Sequence, residues 1–146
     1  MRERLDRTTG RALDHACERG DALADRGDFD GAIAAFEEAW ALLPPPALRW
    51  EAATWILTAI GDAQFSAGRF DLAGRALAGA VRAPGGLGNP FIHLRLGQCA
   101  FERGELDRAA DELMRAYMGD GPRVFEDEDP KYLRFLTTRA QGIQAP

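Results

Sequence analysis

Apolar residues recur four and then three positions apart along three stretches of the chain: Ala32, Phe36 and Ala39; Ala73, Leu77 and Ala80; Ala109, Leu113 and Ala116. With about 3.6 residues per turn, that spacing places each trio on one helix face. Strict alternation, the mark of a half-buried strand, is absent. Pro44-Pro45-Pro46 and Gly85-Gly86-Leu87-Gly88 interrupt the pattern, while Asn89-Pro90 and Asp129-Pro130 each offer an N-cap with proline in the first turn. Together these signals predict an all-α chain with helices near residues 11–26, 29–43, 49–67, 70–82, 90–103, 106–118 and 130–140.

The helices are copies of one unit. Gly20 to Ala32, Gly61 to Ala73 and Gly97 to Ala109 each run Gly, six residues, Gly, any residue, an apolar residue, Asp, any residue, Ala. A helical hairpin explains the spacing: the first Gly lets two helices approach, the second ends a helix in a left-handed turn, and the Ala packs on the next helix. The turn glycines lie 41 residues apart (Gly27 to Gly68) and then 36 (Gly68 to Gly104), so the connections vary in length.

This pattern resembles the tetratricopeptide repeat, a unit of about 34 residues with small residues at fixed positions, large apolar ones between and often a terminal proline, here Pro44. The resemblance spans residues 13 to 122 and implies an α-α superhelix. Three repeats are expected at about 13–46, 54–87 and 90–123 in one domain over 11–146, with a capping helix at about 130–140 and a frayed segment at 1–10. Tyr132, Leu133, Phe135 and Leu136 suit the cap, which must cover the apolar face of the last repeat. The chain departs from the family where an aromatic residue is usual: Leu23, Gln64 and Ala100 stand there, with Phe65 and Phe101 one residue later.

In such repeats the first helix of each hairpin lines a concave groove. Carried over by position, that face presents Asp14, Glu18, Asp21 and Asp25 from the first repeat, Trp55, Asp62 and Phe65 from the second, and Phe91, Arg95, Gln98 and Phe101 from the third. Acid at one end with aromatics beyond suits a protein partner whose contact surface is basic around an apolar centre. Packing between repeats is the other role open to the aromatics. The run Glu126-Asp127-Glu128-Asp129 has two readings as well, acids complementing a helix N-terminus or a hook for a basic partner. Repeats of this kind that hold an acidic peptide terminus use Lys, Asn and Arg; only Arg95 matches, and Asp21 would repel that ligand.

Composition narrows the classes. Eighteen Lys and Arg against 23 Asp and Glu give a net charge of -5, which repels phosphate backbones and argues against nucleic acid. No apolar run reaches membrane-spanning length, and no apolar segment follows the charged start, so a cytoplasmic protein is expected. Cys17 and Cys99 form neither a disulfide framework nor a zinc motif, and His15 and His93 join no triad. No catalytic residue, metal site or cofactor is expected; adjacent acids such as Glu37-Glu38 and Asp111-Glu112 do not face one another on a helix.

A narrower resemblance rests on Trp50-Glu51-Ala52-Ala53-Thr54-Trp55, on Gly85 through Gln98, and on Asp111 through Tyr132. These stretches look like a bacterial group of tetratricopeptide proteins encoded beside secreted, Rhs-like polymorphic toxins. Membership would imply an immunity protein or toxin-handling adaptor. A secretion chaperone of three repeats and a general scaffold are the alternatives from other classes.

Overall fold

A computed structural model describes residues 4–146. Among the described residues seven α-helices and two short 3-10 turns occur, with no strand: α1 Arg7–Asp25, α2 Phe29–Ala41, α3 Glu51–Ser66, α4 Phe70–Val81, α5 Pro90–Glu102, α6 Leu106–Asp120 and α7 Pro130–Thr137, with the 3-10 turns at Ala47–Arg49 and Gly121–Phe125. Each helix packs on the next, so α1/α2, α3/α4 and α5/α6 form hairpins stacked into an all-α superhelix that α7 closes.

Each hairpin turn is the same motif. Gly27, Gly68 and Gly104 have φ of 79°, 79° and 76°. The following residues donate back across the turn, Asp28 to the Leu23 carbonyl, Arg69 to Gln64 and Glu105 to Ala100, each at 2.9 Å. These six-to-one bonds satisfy carbonyls the helix end leaves open. The first glycine of each unit marks a close crossing: a Cβ on Gly20 would lie 2.5 Å from Phe36, one on Gly61 2.5 Å from Leu77, and one on Gly97 2.7 Å from Leu113. Ala32, Ala73, Ala109, Ala39, Ala80 and Ala116 are fully buried, which is why only small residues serve there.

The structure moves several expected boundaries. Helix α1 begins at Arg7, not near residue 11, because the Asp6 carboxylate accepts from the Thr9 amide at 2.9 Å and caps it. Residues 7–10 of the segment expected to fray are therefore helical, and residues 1–3 lie outside the described ones. Helix α2 stops at Ala41, and the chain turns through the prolines to Trp50, whose indole N–H donates to the Pro44 carbonyl at 2.7 Å. Helix α7 ends at Thr137 rather than near 140. The apolar core divides into three stacked clusters, the last joining Leu94, Leu113 and Ala116 to Phe125, Tyr132 and Leu136 of the cap.

Candidate concave binding face

Repeat register brings the expected residues onto one side of α1, α3 and α5, but divides them into three groups. In the first, Asp21 and Asp25 of α1 meet Asp62 of α3 around a cleft of about 420 Å³. Its other walls include Phe29, Phe36 and Ala59. Glu18, Asp21 and Asp25 are exposed. Burial, then the neighbouring charges of Asp25 and Glu18, raise the Asp21 pKa above the ordinary carboxylate value. Trp55, at the start of α3, is 65% exposed, far more than an indole used for packing.

The second group centres on Arg95. Its guanidinium donates to Asp62 at 2.8 Å, to the Gln98 side-chain oxygen at 2.7 Å and to Glu128 at 2.5 Å. It also lies over the rings of Phe65 and Phe91, 4.7 and 4.8 Å from their centroids. Burial works against the Arg95 charge, but the hydrogen bond it donates to Asp62 and the charges of Glu128 and Asp62 outweigh it, so the guanidinium titrates above its usual value. Gln98 is fully buried, and its amide donates to Glu128 at 2.7 Å. The expectation that Gln98 faces a partner is thus corrected: a carboxylate of this same chain already covers it.

The third group is Phe101, which packs edge-on against Tyr132 at 5.4 Å and Phe135 at 5.2 Å between ring centroids. This half-buried ring packs against the cap from its expected position on α5. The physical reason is that α7 lies over the end of α5, where an uncapped apolar face would meet water.

Glu128 is the residue that reading the chain left without its partner. It lies in the acidic run, yet it pairs 33 positions back with Arg95, and no periodicity links the two. The run's double reading separates by residue: Asp129 caps α7 by accepting from the Lys131 amide at 2.9 Å, while Glu128 turns inward. His93 has a structural role that spacing along the chain does not reveal. Buried to 3% exposure, it accepts from the Gly88 amide through Nε2 at 2.9 Å, which leaves Nδ1–H to donate to Glu112 at 2.6 Å. That pair pins the glycine-rich connection to α5 and α6.

Among the described residues no three His, Cys, Asp or Glu side chains are placed to hold a metal ion. No helix among them is long and apolar enough to cross a membrane.

No curated protein sequence matches the chain. Among solved structures, the Yersinia enterocolitica type III secretion chaperone SycD, in complex with a peptide of the translocator YopD, superposes with a TM-score of 0.68 at 16% identity, over 86% of this chain and 90% of that one. The second tetratricopeptide domain of human RPAP3, in complex with an HSP70 peptide, gives 0.68 at 13% identity, over 89% of this chain and 96% of that one. At such identities the likeness speaks to fold. The tetratricopeptide repeat family model matches residues 3–54 and 58–123. The chain therefore belongs to the tetratricopeptide repeat family.

Proposed function

We propose that this protein is a binding module that holds one protein partner through the concave face of its first two repeats. The observation that carries the reading is the pair of acids Asp21 and Asp25, unclaimed among the described residues, facing Asp62, which Arg95 holds, around a cleft whose walls include Phe29, Phe36 and Ala59, on the face that also bears the exposed Trp55. Carboxylates steer a basic surface to the face, and an exposed indole supplies a centre of contact. The third repeat adds little charge, because Arg95 is engaged by Asp62 and Glu128 and Gln98 by Glu128, which leaves the acids of α1 as the unclaimed charges of the face.

Within that class the partner we put forward is a toxin domain, which the protein neutralises or escorts in the bacterial cytoplasm as an immunity protein or adaptor. Support comes from the resemblance carried by Trp50 to Trp55, Gly85 to Gln98 and Asp111 to Tyr132. Free Cys17 and Cys99 suit a reducing compartment. A secretion chaperone is the second reading, favoured by the shared fold with a chaperone that holds a translocator peptide.

Affinity capture from the native cell followed by mass spectrometry should identify the partner, and association kinetics should then be measured on variants. Asp21→Lys and Asp25→Lys should slow association and flatten its salt dependence, since the Debye length is only about 8–10 Å near physiological ionic strength. Trp55→Ala should speed dissociation, costing on the order of 2 kcal/mol. If the partner is a toxin, co-expression should protect cells, and less so with the Trp55 variant. A captured partner held partly unfolded would favour the chaperone reading. Unchanged kinetics in all three variants would remove the interface from this face.

A further inference from the structure

The two joints of the superhelix differ on their convex side. At the first, Arg69 reaches back to Asp30 at 2.7 Å, Ile33 is buried, and Gln64 Oε1 and Arg69 Nε are shielded from solvent. One repeat later the equivalent residues are Gly74, Ala100 and Glu105, with Asp71 in the place of Asp30. Two side chains are shorter, and acid now stands in place of arginine, so the inter-repeat ion pair is not remade. A Cβ on Gly74 would meet nothing within 4 Å. A cleft of about 220 Å³ opens there between α4, α5 and α6.

The floor of this cleft is apolar, formed by Leu96, Cys99 and Ala100, all nearly inaccessible. Burial pushes the Cys99 thiol up to about 11, so it is a neutral group there. Around the opening stand Arg75, Arg103 and Arg108. Glu105 holds Arg103 at 3.1 Å and Arg108 at 3.7 Å, while Arg75 makes no ion pair among the described residues. Three arginines thus share two acids, Asp71 and Glu105, and leave a positive surplus on a protein of net charge -5. Dry cavities of about 150 Å³ hold benzene, so the cleft has room for one large apolar side chain.

We propose that this convex cleft binds an acidic segment of a protein partner, seating one apolar side chain on Leu96, Cys99 and Ala100 with flanking carboxylates on Arg75 and Arg108. The site is independent of the acidic concave face and opposite to it in charge preference. A partner with a basic patch and an acidic arm would engage both.

The test is an NMR titration of the labelled full chain with the peptide acetyl-Glu-Glu-Leu-Glu-Glu-amide, with acetyl-Lys-Lys-Leu-Lys-Lys-amide as control. The acidic peptide should shift the side-chain Nε–H signals of Arg75 and Arg108 and the amides of Leu96 to Ala100. Gly74→Ile, which restores the residue of the first joint, should fill the cleft, raise the melting temperature and weaken binding by roughly tenfold or more. Arg75→Glu should weaken it similarly while the fold, followed by circular dichroism, is unchanged. Asp21→Lys and Trp55→Ala should leave it unaffected, which separates this site from the concave one. Shifts centred on the concave face, equal binding of both peptides, full affinity in Gly74→Ile, or no shift at millimolar peptide would each overturn the proposal.

Discussion

Arg95 of α5 and Glu128 of the segment before α7 form an ion pair of 2.5 Å with both side chains largely shielded, 13% and 15% exposed. Because Arg95 also holds Asp62 of α3, one guanidinium ties the second repeat, the third repeat and the cap together. Solenoid stability resides in contacts between neighbours and falls toward the ends. A residue that spans three units therefore resists fraying at the end where it sits.

Arg95→Ala should destabilise the protein by about 3 kcal/mol or more, since it strands Glu128 without its cation. Glu128→Gln, which retains hydrogen-bonding capacity, should cost less. Urea denaturation of both variants checks the order, and an Arg95→Ala cost below that of Glu128→Gln would contradict the hub.

Asp21 sets stability against charge. Its pKa is raised in the folded state, so the native form binds the proton more tightly than the unfolded chain, and stability falls as pH rises through that pKa. Asp21→Asn should melt higher than the parent at neutral pH, and the gap should close on acidification below the ordinary carboxylate pKa. Thermal melts across that range read it directly. The same variant should associate more slowly with a basic partner.

Trp55 and Phe101 occupy comparable helices but should behave oppositely. Trp55→Ala should change stability by no more than about 0.5 kcal/mol, as expected for an exposed side chain. Phe101→Ala removes a ring packed on Tyr132 and Phe135 and should cost about 2–4 kcal/mol. Equal losses in denaturant would show that Trp55 is a packing residue.

His93→Leu should cost about 2 kcal/mol, because it leaves the Gly88 amide and the Glu112 carboxylate without their partner. Hydrogen exchange at Gly88 should accelerate far more than at the Gly27 turn. Uniform acceleration would mean that His93 acts only through global stability.

The repeat was legible in the chain because its determinants are local. A left-handed turn needs glycine, a close helix crossing tolerates only glycine or alanine, and helical spacing puts Ala32 and Phe36 on one face whatever surrounds them. Caps were less legible. Asp6 displaced the first boundary because an Asx cap several residues ahead of the apolar pattern leaves no mark in that pattern. Eleven candidate site residues shared a face by register alone, and register could not say which would remain available. Contacts between residues 30 or more positions apart decided that: Glu128 turned inward to Arg95 and Gln98, and α7 packed against part of Phe101. The same holds for Gly74, whose missing side chain is unremarkable in a helix and becomes a cleft only when α4, α5 and α6 meet around it. The sequence by itself determined the helices, their repeat and the shared face, through backbone preference and periodicity. Only tertiary structure decided which charges are spent inside the protein and which are left for a partner, because pairing depends on distances in space that no spacing along the chain encodes.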